Sequence, residues 1–135
     1  MILEIINQWD EKKHKLEEYF KTTKQSEYGT NYGQLLIKIF EICEFEINGN
    51  KFDLSKITMI DDGNYQGTQL FIIPEDTYQP SISNYIITNT EYGSCSGCDT
   101  LQAICDYDYD LPTEGQVKSY MTLSLHLVQK IKQLH

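Results

Sequence analysis

The chain has 135 residues, 20 acidic side chains against 11 basic ones for a net charge of −9, and a composition that is 40% hydrophobic and 12% aromatic. This fits one domain, residues 1–135, able to bury a core of its own, and it excludes a disordered polypeptide. No apolar run is long enough to cross a bilayer, and all eleven basic residues are lysine.

Without arginine there is no bidentate clamp for phosphate or guanine, and the acidic balance repels a phosphate backbone. Direct binding to nucleic acid or membrane is therefore not expected. An acidic surface attracts a basic protein instead. The first residues lack the basic flank and small-residue cleavage site of a signal peptide, so a soluble cytoplasmic protein is expected.

Residues 2–24 read as a helix, with Ile2, Ile5, Ile6, Trp9, Leu16, Tyr19 and Phe20 near one stripe. Residues 22–33 carry Thr, Ser, Asn and glycine and read as a connection. A second helix is expected over 32–47 through Leu35, Leu36, Ile39, Phe40, Cys43 and Ile47, closed by Asn48-Gly49-Asn50. Residues 56–61 and 66–73 are rich in β-formers, and Asp62-Gly63-Asn64-Tyr65 between them suits a hairpin turn. Pro74 ends the second strand, and residues 84–90 form a third. Asp99 caps a short helix over 100–105. Thr113-Glu114-Gly115-Gln116 fits a capping box opening a final helix that runs to the C-terminus. The order predicts an α+β fold: a three-stranded antiparallel sheet (about 56–61, 66–73 and 84–90) packed against two N-terminal helices and a long C-terminal helix.

The densest cluster of chemistry-bearing residues is Tyr92-Gly93-Ser94-Cys95-Ser96-Gly97-Cys98-Asp99, between the third strand and the short helix. Cys95 and Cys98 have the spacing of half a zinc site, but no second C-x-x-C or H-x-x-x-H follows. Cys105 lies about 10 Å further along the helix and cannot join them. A dithiol between strand and helix also has the local order of thioredoxin-like redox sites, but two leading helices and antiparallel strands do not match that fold. The remaining reading is a tight turn or a binding loop with no cofactor, in which the thiols pack as small apolar groups.

Asp106, Asp108 and Asp110 alternate with Tyr107 and Tyr109. A calcium loop needs glycine after the third aspartate and glutamate at the twelfth position; Leu111 and Val117 stand there, so the run reads as a solvated acidic loop or a partner surface. Asp61 and Asp62 with Tyr65 and Gln66 form a second candidate binding segment, although paired carboxylates before glycine also serve as hairpin punctuation. Cys43 reads as core, His126 as structural. No catalytic residue is assigned, and the expectation leans away from an enzyme.

Two segments resemble a known family. Ile60-Asp61-Asp62-Gly63-Asn64-Tyr65-Gln66-Gly67-Thr68 and Tyr92-Gly93-Ser94-Cys95-Ser96-Gly97-Cys98-Asp99-Thr100-Leu101 are similar to signature segments of small proteins encoded by tailed phages and prophages of low-GC Gram-positive bacteria. Asp76-Thr77-Tyr78-Gln79-Pro80-Ser81 adds to the likeness. The resemblance implies a phage gene product made in the cytoplasm of a bacterial host and carries no catalytic role. Together with the acidity, it leads us to expect an accessory protein that binds a host or phage protein, such as an inhibitor of a nucleic-acid-binding or defence protein. A zinc- or dithiol-centred protein and a small-molecule binder at the 93–99 loop are the alternatives.

Overall fold

The computed structural model describes residues 2–28, 31–94 and 99–134. Four helices and six short strands follow in order: α1 (Leu3–Thr22), α2 (Tyr32–Cys43), β1 (Glu46–Ile47), β2 (Asn50–Lys51), β3 (Thr58–Asp61), β4 (Gly67–Pro74), β5 (Tyr85–Tyr92), α3 (Thr100–Cys105), α4 (Glu114–Gln129) and β6 (Lys132–Gln133). The expected α+β class holds, but the single three-stranded sheet does not. The strands form a four-stranded antiparallel sheet, β3-β4-β5-β6, and a separate two-stranded hairpin, β1-β2.

Both corrections arise where a helix ends early. The second helix stops at Cys43 because Glu44 adopts a left-handed conformation, φ 53°. Asn48 and Gly49 then take φ 56° and 82°, so the Asn-Gly pair makes a two-residue hairpin turn and does not cap a helix. The final helix stops at Gln129, short of the C-terminus. Ile131 turns into the core, and Lys132 and Gln133 pair with Ile87 and Ile86 of β5. Leu134 N–H adds a bond to the Tyr85 carbonyl (3.0 Å).

Cross-strand partners share a face, so the register divides the sheet. Phe71 and Ile73 on β4 and Ile86, Thr88 and Thr90 on β5 lie buried beneath the helices. Helix α1 contributes Ile5, Trp9, Leu16 and Phe20; α2 contributes Leu35, Leu36, Ile39 and Phe40; α4 contributes Val117, Tyr120, Leu123, Leu127 and Val128. The Thr88 hydroxyl donates to the Leu127 carbonyl (2.7 Å), fastening α4 to the sheet. Glu75 is buried, and the Asn50 and Asn84 amides donate to its two oxygens and hold the β1-β2 hairpin to the end of β4. Among the described residues, no helix is long and apolar enough to cross a membrane.

One buried polar network joins distant parts of the chain. Gln25, in the short turn after α1, is fully buried. Its backbone N–H and Nε2 both donate to the Asp110 carbonyl (3.0 and 3.2 Å), and Nε2 lies 3.4 Å from Gln116 Oε1. The Tyr120 hydroxyl donates to Gln25 Oε1 (2.7 Å). Gln116, at the third position of α4, donates to the Ile104 carbonyl (3.0 Å) and accepts from Thr113 N–H (2.9 Å), so one side chain closes the capping box and reaches α3. Phe20, Tyr28 and Tyr120 pack around this network with ring centroids 4.8–5.4 Å apart.

Leucine is near in size to glutamine but cannot hydrogen-bond, so Gln25→Leu removes the acceptor of the Tyr120 hydroxyl and the Nε2 bonds to Asp110 and Gln116, leaving the backbone bond to the Asp110 carbonyl. A loss of about 2–4 kcal/mol is expected in urea unfolding, with Tyr120→Phe costing roughly half as much.

Candidate functional site

The end of β5 and the start of α3 are held together by Asp99. This side chain is buried, and each oxygen has work to do. Oδ1 accepts from the Tyr32 hydroxyl (2.9 Å) and from Gln102 N–H (3.0 Å); Oδ2 accepts from Gly93 N–H (2.8 Å). Asp99 is thus the N-cap expected for α3 and also clasps the backbone that enters the loop. Tyr32, the first residue of α2, completes the clasp by accepting from Leu101 N–H (3.1 Å). Burial, the largest influence, raises the Tyr32 pKa, and the neighbouring Asp99 carboxylate adds to it, so the hydroxyl stays protonated and donates. Gln102 Nε2 donates back to the Gly93 carbonyl (3.1 Å).

Tyr92 reaches the other way. Its hydroxyl donates to Asp61 Oδ1 at the end of β3, which also accepts from Gly63 N–H (2.9 Å). Asp62 Oδ1 accepts from Thr68 N–H (2.6 Å). The paired aspartates therefore close the β3-β4 hairpin. The glycines are required sterically: a Cβ on Gly63 would lie 2.1 Å from the Gln66 carbonyl oxygen, and one on Gly67 would lie 2.8 Å from Asp62 Oδ1. Tyr65 and Gln66 are left exposed at the tip.

The structure thus brings Asp61, Tyr92, Gly93 and Asp99 into one connected corner. A cleft of about 160 Å³ opens there, bordered by Tyr32, Gln69, Tyr92, Gly93, Asp99 and Gln102. Ser94 is exposed beside it. Cys95, Ser96, Gly97 and Cys98 lie outside the described residues, and with them the zinc and dithiol readings. Of the other thiols, Cys43 is buried and pushed up to about 12 by that burial. Buried Cys105 donates to the Asp108 carbonyl (2.9 Å), and burial followed by the Asp108 charge raises its pKa. Among the described residues, no three His, Cys, Asp or Glu side chains are grouped to hold a metal ion.

The acidic loop lies apart from this corner. Asp106 and Tyr107 are both left-handed, with φ 47° and 60°. Aspartate tolerates that conformation, whereas tyrosine rarely adopts it, and a cost on the order of 1 kcal/mol is met by the surroundings. Asp106 N–H bonds to the Gln102 carbonyl (2.7 Å) and Asp108 N–H to the Cys105 carbonyl (2.9 Å). Asp108 Oδ1 accepts from Asp110 N–H (3.1 Å). Ser26 N–H donates to the Tyr109 carbonyl (3.2 Å) beside the Gln25 bonds to Asp110. The fixed backbone presents Tyr107 at 73% exposure, Tyr109 at 51% and Leu111 at 52%, flanked by exposed Asp106 and Asp110.

Sequence reasoning passed over Tyr32 and Gln25. Tyr32 opens a helix and fits its apolar stripe; Gln25 sits in a polar connection. Neither position signals a buried hydrogen-bond hub.

Replacing Asp99 by alanine orphans Gly93 N–H, Gln102 N–H and the Tyr32 hydroxyl. A stability loss of about 2–4 kcal/mol is expected in chemical denaturation, with Asp99→Asn intermediate. The Tyr92 hydroxyl holds Asp61 below its ordinary value of 3.8, and in return Asp61 pushes Tyr92 from 10 to about 12. The lowered carboxylate contributes stability above its unfolded pKa that is lost as pH falls through its folded value. The raised phenol contributes stability below pH 10 that is lost as pH rises through about 12. Tyr92→Phe should therefore move the Asp61 carboxyl titration, followed by NMR, upward toward the ordinary aspartate value. Set against protein-family models, curated proteins and solved structures, the chain finds no match.

Proposed function

We propose that this chain is a non-enzymatic accessory protein of phage type that works in the host cytoplasm by holding a basic protein partner on its Asp106–Asp110 loop. The observation that carries this reading is the display of Tyr107 at 73% exposure on a strained, left-handed backbone that a buried network holds in place. Ordering a loop on binding costs entropy, and a loop ordered in advance avoids that cost. Tyrosine is an effective contact residue because it offers a large amphipathic surface with few rotors to freeze. Two exposed aspartates beside the rings, on a chain of net charge −9, favour a cationic partner and speed the encounter. A nucleic-acid-binding protein of the host or the phage has the required basic surface, and occupying that surface would inhibit it.

The corner at Asp99 is a weaker basis for a small-molecule site. Its 160 Å³ falls below the roughly 300–1,000 Å³ usual for such pockets, and its polar groups bond to one another.

The test is affinity capture from a Gram-positive bacterial lysate, with retained proteins identified by mass. Wild type should retain a basic protein, less at high salt, and Tyr107→Ala with Asp110→Asn should lose it. Tyr65→Ala and Tyr78→Ala, which alter equally exposed rings elsewhere, should keep it. Retention that survives the loop substitutions rules the proposal out.

A further inference from the structure

Among the described residues, the sheet ends on one side at β3, which is paired with β4. All four of its residues are exposed, including Met59 and Ile60 at 49% each. Natural edge strands are usually blunted by proline, lysine or an inward charge. Thr58-Met59-Ile60-Asp61 contains no proline or lysine, and the Asp61 side chain is turned toward Tyr92.

The direction of each backbone group follows from one hydrogen bond. Asp62 N–H donates to the Thr68 carbonyl (3.2 Å), so Asp62 faces β4. Alternation along the strand then aims the backbone groups of Ile60 and Thr58 at β4 as well, in keeping with their pairing to Leu70 and Ile72. Those of Ile57, Met59 and Asp61 point outward, away from the sheet.

We propose that β3 is a dimerisation strand that pairs antiparallel with β3 of a second copy across a two-fold axis at Met59. This register satisfies three independent requirements. Met59 meets Met59, and Ile57 meets Asp61, so each outward-facing N–H of these residues donates to a carbonyl of the other copy and each outward-facing carbonyl accepts from an N–H. Residues on the same face meet as well: Thr58 lies opposite Ile60 on the outer face, and the two Met59 side chains meet on the inner face beside Phe71. Charge agrees too, because Lys56 of each copy arrives opposite exposed Asp62 of the other. The Lys56 ammonium lies 3.7 Å from the Asp53 carboxylate, with its side chain 73% exposed. A shift by one residue would set outward groups against inward ones and break all three matches. The product is one continuous eight-stranded sheet with closed symmetry.

Sedimentation equilibrium of the full chain over a range of concentrations tests this. Wild type should sediment at twice the chain mass. Met59→Pro removes an outward N–H that β4 does not use, so it should give a folded monomer with unchanged circular dichroism. Lys56→Glu sets like charges opposite each other twice and should raise the dissociation constant roughly tenfold. A wild type that stays monomeric overturns the proposal, even if its edge captures an extended segment of another protein. So does a dimer that both substitutions leave intact.

Discussion

The arrangement depends on a neutral amide buried where no water reaches it. Gln25 satisfies a phenol and a second amide on α4 and a carbonyl in the loop before it. A buried polar group costs several kcal/mol when unpaired, so the network is stable only when every member is in place. That condition joins the end of α1, the loop after α3 and the start of α4 into one unit. An ionised side chain at this position would carry a desolvation penalty that the surrounding tyrosines could not offset. The neutral amide donates and accepts at once, as this junction requires.

A second clasp of the same kind holds the other half of the molecule. Asp99 and Tyr32 do for β5, α3 and α2 what Gln25 and Tyr120 do for the acidic loop. The two differ in their relation to the surface. At Asp99 the polar groups turn inward and bond to one another. At Gln25 they hold the backbone from beneath and leave the side chains of Tyr107, Tyr109 and Leu111 facing outward. The first arrangement builds a corner; the second builds a display. The proposed recognition by the loop rests on this contrast in the use of polar burial.

Much of the fold was legible from the chain alone, because short-range rules governed those parts. The apolar stripes of α1 and α2, the Asp99 and Thr113 caps and the glycine-closed turn between β3 and β4 all follow from neighbours within a few residues. The parts that escaped depend on distant partners. Lys132 and Gln133 have no strand signature of their own; they become a strand because buried Ile131 brings them against β5. Ile47 matched a helical stripe, yet Glu44 turned left-handed and passed it to a hairpin. At the candidate sites, the residue types of the acidic loop were readable, whereas its fixation by Gln25, 85 positions from Asp110, was not.

The close approach of Gly63 and Gly67 separates what the hairpin needs from what it carries. Closure is settled at the base, by two aspartates and two residues without side chains, before the chain reaches Asn64, Tyr65 and Gln66. Those three positions are therefore free of architectural duty. Substitution there costs folding little, whereas any side chain at the two glycines of the base collides with main chain. The hairpin is a sterically fixed frame around an editable tip, a natural place for a lineage to try new contacts or for an engineer to graft a foreign epitope.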